Sequence, residues 1–246
     1  MIIFTSDIDW APDEIIEYML DIFVSYQTKC TLFVTHPSDV LKKCNRDLFE
    51  IAIHPNFNPL LNGNISDKSA DSILDELMNW YPEARGVRSH SMTQNTPLLG
   101  KFLEKGLLYE ANHFLPYQKI QPFKLWNGLW RIPYNWEDDI HFAYQNSFTE
   151  VGMTLNDDDL FVFDFHPIHV FLNTENEQRY QNAKEHYHNP TELKKIANQD
   201  TPGTEDMLIY LLKTIQNKQF KNNNLIGLFN NNNLTGLDNI STTKLL

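Results

Sequence analysis

The sequence is poor in cysteine and in positive charge, and it has no long apolar run. Two cysteines, Cys30 and Cys44, occur in 246 residues. Their spacing matches no zinc or redox motif, so the expectation is two reduced thiols. Lysine and arginine total 20 against 32 aspartates and glutamates, a formal net charge of −12. Such an acidic chain argues against nucleic acid or an anionic membrane as partner. No uninterrupted apolar stretch approaches the ~18 residues of a membrane span. The N-terminus lacks a basic segment and meets an acid at Asp7, unlike a secretory signal. The expected location is therefore the cytoplasm. What is present is a globular composition, 41% hydrophobic and 13% aromatic. The chain is long enough for one large α/β domain or two small ones.

Strand-like and helix-like patterns alternate from the start. Strands are expected at Ile2–Thr5, Thr31–Thr35, Phe49–Ile53, Gly86–Ser89, Leu107–Glu110, Leu129–Pro133 and Leu160–Phe165. Pro12, with Asp13 and Glu14, suits a first helical turn. Ile15, Ile16, Met19, Leu20 and Phe23 follow at helical spacing. Further helices are expected from Ser38 to Lys43, over 67–80 and over Thr96–Lys105. Regular alternation implies a parallel sheet with helices outside it. So many strands in one domain predict a single-domain, distorted (β/α)7–8 barrel. An open doubly wound sheet would carry a glycine-rich turn after the first strand, and SDIDWAP has no glycine. The barrel is expected over residues 1–217. Residues 218–246 form an asparagine-rich segment expected to be only partly ordered.

The ionisable residues fall at strand ends. Asp7 and Asp9 follow the first strand in FTSDIDW, and His54 ends the third in FEIAIHPNFNP. Arg88 and His90 end the fourth in GVRSHS, and His166 ends the last in LFVFDFHPIHV. In a parallel barrel these ends open onto one face, so residues distant in sequence converge. Asp7 and Asp9 can also be read as turn or cap residues for the following helix. Alternation, however, puts them on one side of an extended segment, where like charges repel unless a cation or proton intervenes. One Asp on a metal and the other on a cationic side chain is the simplest resolution. His54 reads as a core histidine or as a ligand. Arg88 answers the acids, and His166 is held extended by Pro167. Asp138, Asp139 and His169 are evenly balanced between site and structure. His186 and His188, in a polar stretch, read as surface residues.

The order Asp-x-Asp, His, Arg, His resembles the polysaccharide deacetylase family, the NodB-homology carbohydrate esterases. It is most similar to the intracellular branch tied to surface-polysaccharide (O-antigen-type) biosynthesis. The resemblance covers about residues 1–215 and implies a NodB-like barrel. TSDIDW resembles the first motif, which implies Asp7 as catalytic base and Asp9 as metal ligand. IHPNFN resembles the second, a His followed four residues later by another; His54 matches, but Asn58 stands at the second place. VRSHS resembles the third, whose Arg steadies the base; Arg88 matches, and His90 replaces the usual Pro. FDFHPIH resembles the fifth, which implies His166 as general acid. PYNWEDD occupies the place of the fourth without a close match. Asn is a poorer zinc ligand than imidazole. His90 is therefore expected as third ligand with Asp9 and His54, and Asn58 as the alternative. The implied cofactor is a divalent metal, zinc foremost. The implied partner is an N-acetylated sugar, as sugar nucleotide, lipid-linked oligosaccharide or polysaccharide. Trp10, Phe57, Trp130 and Trp136 are candidates to stack on sugar, or else packing residues. The rival readings are a glycoside hydrolase using two carboxylates such as Asp7 and Asp139, and a non-catalytic glycan-binding protein on the same scaffold.

Overall fold

The computed structural model describes residues 1–61 and 68–230. The first half builds the central strands. β1 (Ile2–Asp7), β2 (Cys30–Val34) and β3 (Phe49–Ile53) are buried along their whole length. Parallel strands covered on both faces read as mostly apolar runs, and these do, with Thr5, Ser6, Asp7, Thr31 and Glu50 as buried polar exceptions. Between them lie α1 (Asp13–Ser25) and α2 (Asp39–Lys43), the latter capped by the Ser38 hydroxyl. A short α3 (Asn58–Leu61) and α4 (Ala70–Trp80) follow. Ser69 caps α4 in a reciprocal box with Ser72; residue 67, the expected helix start, lies outside the described residues. β4 is only Gly86–Val87, then come α5 (Thr96–Glu104) and β5 (Tyr109–Glu110).

The second half has shorter strands: β6 (Phe123–Lys124), β7 (Trp130–Arg131), β8 (Trp136–Glu137) and β9 (Phe161–Asp164). α6 (Asp138–Ala143) follows β8, and α7 (Pro167–Leu172) follows β9. α8 (Glu177–Ala183), α9 (Pro190–Ile196) and α10 (Thr204–Lys218) complete the helical layer. β10 (Asn222–Asn223) and α11 (Gly227–Asn230) end the described chain.

The strands form one curled sheet in the order β6-β7-β5-β4-β3-β2-β1-β9-β8, with β10 also on β1. Among the described strand pairs, only β6–β7 is antiparallel. The outer strands do not pair with each other, so the expected distorted barrel is a half-open one. The expected strands Gly86–Ser89, Leu107–Glu110 and Leu129–Pro133 shorten to two residues each; β4 ends two residues early and β5 starts two residues late. β6, β8 and β10 are too brief to leave a periodic trace in sequence.

Two apolar layers hold the sheet. Ile2, Phe4, Phe163 and Phe165 pack outward against α1, α7 and α10. Ile3, Phe33, Ala52, Tyr109, Tyr134 and Val162 fill the inside. Burying each large side chain contributes about 1.5–3 kcal/mol. The asparagine-rich segment takes part. Asn222 pairs with Ile2 at the start of β1, and Leu225 and Leu228 join the interior cluster. Phe229 stacks on Tyr109 at 5.8 Å. The buried Glu50 carboxylate accepts from the Tyr109 hydroxyl (2.6 Å), the Thr31 hydroxyl (2.8 Å) and the Ile226 N–H (2.9 Å). Gly86 is required here, because a Cβ would collide with the Tyr109 ring. This end of the sheet is thus closed, and the other end carries the polar groups.

Candidate active site

Local structure sets where each acid points. β1 ends at Asp7, and the chain then turns through left-handed backbone at Asp9 (φ 42°) and Trp10 (φ 56°). The turn is held by Ile8 N–H to Phe33 O (3.0 Å), Trp10 N–H to Thr35 Oγ1 (2.9 Å) and Tyr187 Oη to Asp9 O (2.6 Å). Asp7 and Asp9 therefore diverge through a turn rather than sharing one face of an extended strand. His54 leaves β3 with its N–H on Val34 O (2.8 Å), extended before Pro55. His90 lies past β4, in a turn rather than on the strand, and its N–H reaches Pro55 O (3.0 Å).

The structure brings Asp9, His54 and His90 together. His54 Nε2 and His90 Nδ1 each lie 3.2 Å from the same oxygen, Asp9 Oδ1. One donor atom from each lies within 4.8 Å of the others. Burial opposes charge on Asp9, but hydrogen bonds from both imidazoles hold its carboxyl well below the usual range. His54 is pushed up, despite its burial, by the Asp7 charge and the Asp9 hydrogen bond. Two imidazoles and one carboxylate are a donor set that suits zinc and other divalent transition metals, so these residues fit such an ion. Asn58 lies apart from this group: its amide donates to Ser91 Oγ (3.1 Å) and accepts from Thr93 Oγ1 (3.3 Å).

Asp7 has a different partner. Arg88, fully buried, donates from Nη1 to Asp7 Oδ1 at 2.9 Å, while Asp7 Oδ2 stands 3.7 Å from His54 Nε2. The guanidinium lies against the rings of Phe33 and Tyr134, 4.3 and 4.0 Å from their centroids. It also donates from Nε to Ala111 O (3.1 Å) and from Nη2 to Thr5 Oγ1 (3.1 Å). A second carboxylate, Asp164, shares Nη1 and accepts from Thr5. Two acids on one cation leave one charge unanswered. Burial accordingly pushes the Asp164 carboxyl up to about 7 against the pull of Arg88. Its Oδ2 has no hydrogen-bond partner among the described residues.

His166 is anchored by Asp138, which accepts from its ring Nδ1 (2.7 Å) and from its backbone N–H (2.8 Å). Its Nε2 faces Asp9 Oδ2 at 3.9 Å. Burial disfavours the imidazolium, but the Asp138 charge and hydrogen bond hold the ring well above its ordinary value. Glu137 and Asp139 also approach this ring. Asp164 and the Asp138 pairing are what sequence reasoning missed. Asp164 carried a usable signal, since alternation puts it on the same inward face as His166. Asp138 carried none beyond an acidic run. Of the aromatics, Trp10 lies at the site, its ring 5.1 Å from that of His90. Phe57 and Trp136 are core residues, and Trp130 packs on Phe229 at the closed end. His188 is exposed, and His186 sits by Glu185 at the surface.

The model of the WbmS-like polysaccharide deacetylases matches residues 4–184. A crystal structure from Bordetella bronchiseptica, assigned as a polysaccharide deacetylase of O-antigen biosynthesis, is 37% identical with a TM-score of 0.80. That likeness covers 87% of this chain and 90% of that one. The peptidoglycan deacetylase PdaC of Bacillus subtilis superposes with a TM-score of 0.55 at 11% identity, over 97% of this chain and 94% of that one. The Puue allantoinase gives 0.55 at 11%, over 95% and 90%. At that identity these two share the fold alone, and a fold hosts different substrates. No curated protein matches the chain. The long match, together with a relative of 37% identity over most of both chains, places this protein in the WbmS-like polysaccharide deacetylase family.

Proposed function

We propose that the protein is a metal-dependent carbohydrate N-deacetylase, which hydrolyses the N-acetyl group of an amino sugar in a surface polysaccharide or its precursor and releases acetate. The observation that carries this reading is a separation of roles. Asp9, His54 and His90 offer ligand atoms to one point, while Asp7 and His166 flank it with partners of their own.

Asp9, His54 and His90 would hold a divalent ion, zinc foremost, with His90 preferred to Asn58 because the Asn58 amide is committed to Ser91 and Thr93. Such an ion supplies Lewis acidity toward the attacking water and the acyl oxygen. Asp7 Oδ1 is occupied by Arg88, which leaves Oδ2 to take the proton of that water. Arg88 holds the carboxylate in orientation. The water oxygen bonds to the acetyl carbon, the C–N bond breaks, and its electron pair stays on the sugar nitrogen. His166 gives that nitrogen its Nε2 proton, while Asp138 fixes the other ring nitrogen. Trp10 offers the sugar an exposed aromatic face. Among the described residues no helix is long and apolar enough to cross a membrane. Action in the cytoplasm, on a sugar nucleotide or lipid-linked oligosaccharide, is part of this proposal.

Acetate release from N-acetylated sugar nucleotides and lipid-linked oligosaccharides tests the reading. Chelation should abolish release and added metal restore it. Asp7→Asn should lower kcat by about 10²–10⁴-fold with metal still bound. Full activity in chelator, or in Asp7→Asn, would refute it.

A further inference from the structure

A second group of ligand atoms lies beside the first. Asp138, His166 and His169 each place one donor atom within 4.8 Å of the others, again two imidazoles and a carboxylate. All three side chains are buried. His166 and His169 are three residues apart where α7 begins, a spacing that brings side chains to one helix face. Nδ1 of His169 bonds Thr174 Oγ1 at 3.2 Å, which orients the ring and leaves Nε2 without a hydrogen bond among the described residues. Metal-ligating histidines are oriented in this way by their second nitrogen. Burial and the neighbouring His166 keep His169 uncharged, the form that binds metal. Glu137 and Asp139 also offer oxygens near His166, and Asp139 Oδ1 is buried with no partner among the described residues. Three consecutive acids thus surround one imidazole, and burial pushes the Glu137 carboxyl well above its ordinary value.

We propose that Asp138, His166 and His169 form a second divalent-cation site, and that excess metal filling it switches the enzyme off. The inhibitory part rests on the acid role of His166 given above. Binding breaks the 2.7 Å bond between Asp138 and His166 and releases its proton to solvent. That bond is shorter than the 3.2 Å contacts of Asp9 with His54 and His90, and the cost of breaking it makes this site the weaker one. A metal on Nδ1 leaves His166 as a neutral imidazole whose remaining Nε2 proton is a far weaker acid toward the departing nitrogen than that of an imidazolium.

Co²⁺ titration of the chelator-stripped full chain, followed by calorimetry and metal counting, tests the site without reference to activity. Two equivalents are expected, the second bound at least about tenfold more weakly. His169→Gln should keep only the tight one. Thr174→Val should keep both but weaken the second by about 10–100-fold. His90→Ala should keep only the weak one. The deacetylation rate should peak near one equivalent and fall toward two, and His169→Gln should remove the fall. Saturation of the wild type at one equivalent overturns the proposal, as does a second equivalent that persists in His169→Gln. Should His169→Gln not fold, an unchanged second affinity in Thr174→Val overturns it. A tight equivalent that survives His90→Ala faults the first site instead.

Discussion

Replacing Asp164 by Asn probes the crowded charge around Arg88. Asp164 is fully buried, shares Arg88 Nη1 with Asp7, and has one oxygen without a partner among the described residues. Burial raises its carboxyl from 3.8 to about 7. A raised carboxyl pKa gives stability that is fully present below 3.8 and lost as pH rises through 7. The shift of about 3 units corresponds to about 4 kcal/mol, at about 1.4 kcal/mol per unit. Asparagine has nearly the shape of the neutral acid and does not titrate. Its own misfit, an amide N–H where Oδ2 had no donor, is a constant offset. The stability of Asp164→Asn minus that of the wild type should therefore grow by up to about 4 kcal/mol between about pH 4 and pH 8. Urea unfolding followed by tryptophan fluorescence, in chelator and across that range, measures the difference. Curves for the two proteins that stay parallel within about 0.5 kcal/mol would show that Asp164 is ionised in the fold, and the charge argument would fail.

Three other outcomes follow from the same geometry. Metal content should fall strongly in His90→Ala and stay near wild type in Asn58→Ala; the reverse pattern would make Asn58 the third ligand. Asp138→Asn should lower kcat by about 10²-fold or more with KM little changed, because the anchor of His166 is lost; steady-state kinetics on one N-acetylated sugar reads this. Leu225→Ala, at the closed end of the sheet, should cost about 2–5 kcal/mol in urea unfolding. An effect below about 0.5 kcal/mol would mean that residues 222–229 add little to the core.

β1, β2, β3 and β9 were legible because strands covered on both faces are mostly apolar, and their polar ends stand out against that background. Asp7, Asp9, His54, Arg88 and His166 were found in this way, before any contact was known. The two-residue strands β6, β8 and β10 were not, and the equally short β4, β5 and β7 were expected too long. Nor was the role of Asn222–Phe229 legible, where an asparagine-rich composition masked a few apolar residues that close the sheet. The sequence by itself therefore determined the framework and the residue types gathered at one end of it. Only the tertiary structure decided the partners. Arg88 is divided between Asp7 and Asp164, His166 is bound to Asp138, and His90 rather than Asn58 faces Asp9. Those pairings join residues between 28 and 81 positions apart. Local patterning reports which face a side chain takes, but charge pairing depends on distances that exist only once the chain has closed on itself.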